Sequence, residues 1–253
     1  MEITHLSETV SIKTISEDGK KGVFEVEGLY AGYGLTLGNA LRRTLLSSLP
    51  GSAITYLKIR NVSHEFSTLP GMKEDLIQLM LNFKKLRFHM DVNEPQVLTI
   101  RVKGAKEVTG EDVELNSQVQ ILNPEAVLAT LTAKDSDFDA EITVERGLGY
   151  SAVESRKAEK LPIGVIALDA FFSPVVSVNY NVDNMRVGDR TDYNRLRIEI
   201  ETDGTVSPSS ALHKATSILK DHFEKVAAVE VVMAEAPAEV KEKPAKKKTA
   251  KKK

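Results

Sequence analysis

The spacing of apolar residues along the chain switches between two periods, and the switches mark its elements. TVSIKTI and GVFEVEGL, within residues 9–29, are short β-rich runs around the turn-forming cluster SEDGKKG, a pattern that predicts a hairpin. From Leu37 the period lengthens. Leu37, Ala40, Leu41, Leu45 and Leu46 fall on one broad helical face, with Thr36 as the expected N-cap and Pro50-Gly51 as the stop. SAITYLKIRN (52–61) returns to strand spacing. A second helix is expected after Pro70-Gly71, with Glu74 and Asp75 in its first turn and Lys84 and Lys85 in its last, as the helix dipole favours.

Residues 95–148 hold strand-like runs (QVLTIRVKG, QVQILN, LATLTA, FDAEITVER) separated by Gly, Asn, Asp and Lys clusters, which suggests antiparallel β-structure. SAVESRKAEK (151–160) reads as a polar loop, and PIGVIALDAFFSP as a further strand. VSVNYNV and LRIEIET then flank a charged segment, DNMRVGDRTDYNR, read as a turn. Ser207 and Pro208 suit the cap and first position of a final helix, whose apolar seam is Leu212, Ala215, Leu219, His222 and Val226, with Ala211, Ile218 and Phe223 beside it. Past Met233 the composition shifts to Ala, Glu, Pro and Lys with nothing to bury, so residues 234–253 are expected to be disordered.

The predicted class is α+β. Helices and strands from both chain ends (1–52 and 173–233) are expected to form one discontinuous domain, into which a β-rich domain (53–172) is inserted. Composition narrows the function classes further. The chain has no cysteine, so disulfides and thiolate metal sites are excluded. No apolar run approaches bilayer length, and MEITHLSETV has no signal-peptide character. The net charge of −2 conceals an asymmetry: eight lysines against three glutamates make the tail +5, leaving −7 on the rest. A body this acidic is not built to wrap nucleic acid, so any phosphate contact is expected from Lys246, Lys247, Lys248, Lys251, Lys252 and Lys253 in the tail. The chain carries no P-loop, GxSxG or HExxH signature, and its five histidines lack ligand spacing. Neither catalysis nor a cofactor is expected of it.

Spelling adds what periodicity cannot. LGNALRRTLLSSLPG (37–51), HEFSTLPGMKEDLIQLMLNFK (64–84) and SPVVSVNYNVDNMRVGDRTDYNRLRIEIETDGTVSP (173–208) resemble, in order, three blocks of the bacterial-type RNA polymerase alpha-subunit family, in its N-terminal assembly domain. The resemblance implies a non-catalytic, cytoplasmic subunit that forms a homodimer and nucleates assembly of the beta and beta-prime subunits. Its dimer interface would draw on Leu37, Leu41, Leu45, Leu212, Ala215, Leu219 and Phe223. Its contacts to beta or beta-prime would come from Arg42, Arg43, Lys84, Arg186, Arg190 and Asp192. In the family a linker leads on to a C-terminal DNA-binding domain, whereas this sequence ends in lysines. Two other readings stay open: a heterodimer-forming assembly subunit of archaeal or eukaryotic type, and a basic-tailed DNA-binding protein.

Overall fold

A computed structural model describes residues 9–156, 161–162 and 164–229. The tail lysines and the disorder expected of residues 234–253 therefore lie outside the described residues. In chain order the elements begin with β1 (Ser11–Glu17), β2 (Lys21–Leu29), α1 (Tyr33–Ser47), β3 (Pro50–Ile59) and α2 (Leu76–Phe83). They continue with β4 (Phe88–Met90), β5 (Gln96–Lys103), β6 (Glu107–Thr109), β7 (Val113–Glu114), β8 (Val119–Ile121), β9 (Val127–Thr130) and β10 (Asp137–Leu148). The last are β11 (Tyr150–Ser151), β12 (Val165–Ala167), β13 (Ala170–Phe171), β14 (Val175–Val187), β15 (Arg190–Thr202) and α3 (Pro208–Ala227).

Two sheets organise two cores. The first is antiparallel in the order β1-β2-β15-β14, so its central pair joins strands from opposite ends of the sequence, Leu29 opposite Asn194 and Phe24 opposite Ile198. β15 shows why the sheet is one-sided. Asn194, Leu196, Ile198, Ile200 and Thr202 alternate inward and are buried, whereas Arg195, Arg197, Glu199 and Glu201 face out. On the outer face Arg195 lies 3.4 Å from Glu27 and Lys13 lies 2.5 Å from the same carboxylate. The inner face is covered by α1 and α3, and Phe24, Leu45, Leu49, Val175, Leu196, Ile198, Ile200, Ala211 and Ala215 close the core. The second sheet runs β7-β5-β10-β3-β4-β8, with β12 also on β3. Its core gathers Leu57, Leu76, Leu79, Phe83, Leu98, Ile100, Leu128, Phe138 and Ile142 beneath α2.

The chain leaves the first core and returns to it at one place. At Gly51 the backbone runs against Phe172, so closely that a Cβ there would stand 1.9 Å from the Phe172 carbonyl oxygen. Arg87, just beyond α2, reaches back to Asp203 at the end of β15, 3.7 Å away.

Several expectations need correction. α1 starts at Tyr33, not after Thr36: Gly32 occupies the N-cap in a left-handed conformation (φ 87°) and offers no side chain. Asp75 is not in the first turn of α2 but caps it, accepting from the Gln78 N–H at 2.7 Å. The charged segment 183–195 is not a broad turn. β14 and β15 run through it as one long hairpin that reverses at Gly188-Asp189. PIGVIALDAFFSP yields two short strands, not one. The polar stretch from Ser151 holds a 3-10 turn at Val153–Arg156, and its residues 157–160 lie outside the described residues.

Candidate subunit interfaces

α1 is seated by glycine. A Cβ on Gly34 would come within 2.7 Å of Val182, and one on Gly38 within 2.7 Å of Tyr180, so the helix backbone lies directly on β14. Leu45 anchors the other end and is fully buried. With that face fixed, Arg42 and Arg43 are both exposed. They diverge as neighbours on a helix must: Arg42 stands at a shallow hollow it shares with Leu35 and residues Val178–Val182 of β14.

α3 begins as expected. Ser207 accepts from the Ser210 N–H and Pro208 fills the first position. Its buried residues, Pro208, Ala211, Leu212 and Ala215, all belong to its first half. Leu219 is half-buried, and beyond it the apolar residues are open: Phe223 is 64 %, Val226 67 % and Val229 69 % exposed. The expected dimer set therefore divides. Leu45 and Ala215 are core with no surface left for a partner, and Leu212 nearly so. Leu37 and Leu41 are half-buried against their own core. Leu219 and Phe223 remain available. Tyr33 (44 % exposed) and Leu35 (62 %) on the first turn of α1 are available as well, and sequence reasoning missed them by starting the helix too late.

Arg186, Arg190 and Asp192 sit on the far end of the β14–β15 hairpin. Arg186 donates to the Gly188 carbonyl at 2.8 Å. Arg190 is held at both ends of its fork by Asp192 (3.0 and 2.6 Å) and lies over the rings of Tyr30 (4.8 Å) and Tyr193 (5.4 Å). That hydrogen-bonded guanidinium keeps the Asp192 carboxyl below the usual carboxylate range. Arg190 and Asp192 are thus mutually satisfied and buttress Tyr30, which leads into α1.

Lys84 belongs to the other core. It caps the end of α2 and pairs with Asp169 at 3.5 Å, beside a narrow crevice lined by Arg87, Tyr150, Phe171 and Asp203. The Asp169 carboxyl is lowered, first by the Val153 N–H it accepts (3.0 Å) and then, against some burial, by Lys84. At the start of α2, burial opposes the charge on Glu74. The two hydrogen bonds it accepts from Thr130, through N (2.7 Å) and Oγ1 (2.8 Å), outweigh that and lower its pKa. The structure thus groups Arg42 and Arg43 on α1, Arg186, Arg190 and Asp192 on the hairpin, and Lys84 apart from both. Among the described residues no group of three His, Asp or Glu side chains is placed to hold a metal ion, and no helix is long and apolar enough to cross a membrane.

Exposed on α1 and α3 are apolar side chains (Tyr33, Leu35, Phe223, Val226) and two guanidinium groups (Arg42, Arg43). Residues 57–173 match the family model described as RNA polymerase Rpb3/RpoA insert domain. The chain is 48% identical over 210 residues to the DNA-directed RNA polymerase subunit alpha of Symbiobacterium thermophilum, covering 83% of this chain and 66% of that one. It is 45% identical over 214 residues to the subunit alpha of Alkaliphilus metalliredigens, covering 85% and 68%, and 48% identical over 206 to that of Moorella thermoacetica, covering 81% and 66%. The chain belongs to the bacterial DNA-directed RNA polymerase alpha-subunit family. It spans about two-thirds of the length of these relatives.

Proposed function

We propose that this chain is an assembly scaffold of a bacterial RNA polymerase. Two copies pair through the apolar surface that α3 carries beyond Leu219, joined by Tyr33 and Leu35 of α1, and the pair presents a platform for the beta and beta-prime subunits. Arg42 and Arg43 supply exposed guanidinium donors suited to a carboxylate or a row of carbonyls on a large subunit. Arg186 and Lys84 mark further contact regions, with Arg190 and Asp192 shaping the hairpin between them. The chain itself works without a cofactor and without nucleotide chemistry, which belongs to its partners in the cytoplasm. The tail lysines add weak, salt-dependent contact to DNA phosphates.

One observation carries this reading: the last turns of α3 leave the core with Phe223 and Val226 open to water, and Val229 open just beyond the helix, in a chain of the alpha-subunit family. Side chains of that size at helical spacing predict a partner helix. The solution mass by light scattering tests it, with the chain alone and after mixing with a bacterial beta subunit. A dimer that captures one beta chain is expected. A monomer indifferent to beta would overturn the reading. Arg43→Ala is expected to leave the dimer intact and weaken beta capture by about tenfold or more, the scale of a buried arginine anchor; unchanged capture would remove Arg43 from the contact.

A further inference from the structure

α1 begins where its own sequence offers nothing to begin it. Residue 32, which should supply a side-chain acceptor for the first unpaired N–H groups, is glycine in a left-handed conformation. The acceptor comes from far away in the chain. Asn194 of β15, 162 residues downstream and 7 % exposed, places its Oδ1 2.8 Å from the Gly32 N–H and 3.4 Å from the Gly34 N–H. Its Nδ2 donates to Asn184 Oδ1 across the hairpin at 3.2 Å, which fixes which end of the amide faces the helix. The absent Cβ of Gly34 would stand 3.0 Å from the Asn194 Cβ, so the glycine is what allows the approach. Four residues earlier on the same strand, Arg190 lies over Tyr30 and pins the chain just before the helix.

We propose that Asn194 is a positioning residue for α1: it takes the place of the missing N-cap and so sets where Tyr33 and Leu35 stand on the surface. This rests on the dimer reading above only for its functional consequence; the anchoring can be observed without it. With the acceptor gone, the first turn opens in the monomer and must close again when the dimer forms, so the apparent affinity falls by the fraction of closed helix. The hairpin that ends at Gly188 would then govern pairing from a distance, through one side chain.

The test uses the full chain with Asn194→Ala and Asn194→Asp, and Leu128→Ala in the other core as a control for general loss of stability. Hydrogen exchange by mass spectrometry reads residues 32–36, and dilution experiments read the dimer. Asn194→Ala is expected to lose protection over residues 32–36 and to raise the dimer dissociation constant roughly tenfold, the scale of a lost cap. Asn194→Asp keeps the acceptor, places an anion at a helix N-terminus, and needs only a flip of the exposed Asn184 amide to recover its partner, so it should restore both. Leu128→Ala should melt earlier and change neither. Protection over 32–36 that survives Asn194→Ala, or an Asn194→Asp protein as impaired as Asn194→Ala, overturns the proposal. Lost protection with no dimer in the parent protein would refute the dimer reading and leave the anchor standing.

Discussion

α1 and α3 cover the same sheet face, yet the sheet holds them differently. α1 is held along its length: Asn194 at its start, Gly34 and Gly38 flush on β14, and Leu45 in the core near its end. α3 is held only over its first half, and its later turns carry Phe223 and Val226 into water. A surface helix owes most of its stability to an apolar face packed against something. α1 finds that face within its own chain. α3 finds half of it there, and beyond Leu219 its apolar residues are left open to water.

The difference can be broken from either side. Leu45→Ala should have the largest effect, lowering unfolding free energy by about 2–5 kcal/mol as a core truncation, seen as an early urea midpoint. If the loss were under about 1 kcal/mol, Leu45 would not be core. Phe223→Asp should act on the pair instead. It should leave the circular dichroism of the fold intact and weaken the dimer by about 2 kcal/mol or more, because a carboxylate would have to be desolvated in the joint. A dimer of unchanged affinity would place the joint elsewhere. Gly38→Ala adds one methyl against the Tyr180 ring and should cost about 1–3 kcal/mol through overpacking, with α1 lifted from β14. The same substitution at Gly19, which has open space around it, is the matched control.

The smallest effect lies in the other core and concerns acid. Glu74 is lowered below its ordinary value of 4.5, so its charged form favours the fold. That contribution is fully present above pH 4.5 and disappears as pH falls through the lowered value. Glu74→Gln should flatten the loss of stability below pH 4.5, measured by urea titration at successive pH; a parallel acid profile would show that Thr130 binds the neutral acid equally well.

What the sequence disclosed follows from how local each cause is. Ser207-Pro208 announces α3 because cap and first turn are adjacent in the chain. The Leu37–Leu45 stripe announces α1 because a helix repeats its own face. The start of α1 was not legible, since its cap is Asn194 and nothing near Gly32 points there. Tyr33 and Leu35 were lost as surface candidates for that reason alone. The length of the β14–β15 hairpin was hidden too: toward Gly188 both faces of the strands meet water, so the two-residue alternation that reveals a strand dissolves into charge. Periodicity also could not separate Leu45 and Ala215 from Phe223. Buried and exposed residues continue the same stripe, and only the sheet beneath shows where one gives way to the other.

The close approach of Gly51 to Phe172 has a kinetic meaning. Pairing β2 with β15 requires closing a loop that runs from Leu29 to Asn194. If the segment between Gly51 and Phe172 folds first, its two ends already touch, and the free loop shortens about fourfold, which lowers the closure cost by about 1 kcal/mol. The intervening core is then expected to act as a staple on the nascent chain, formed while the last strands are still being made, so that the first sheet is completed by a search over a few tens of residues.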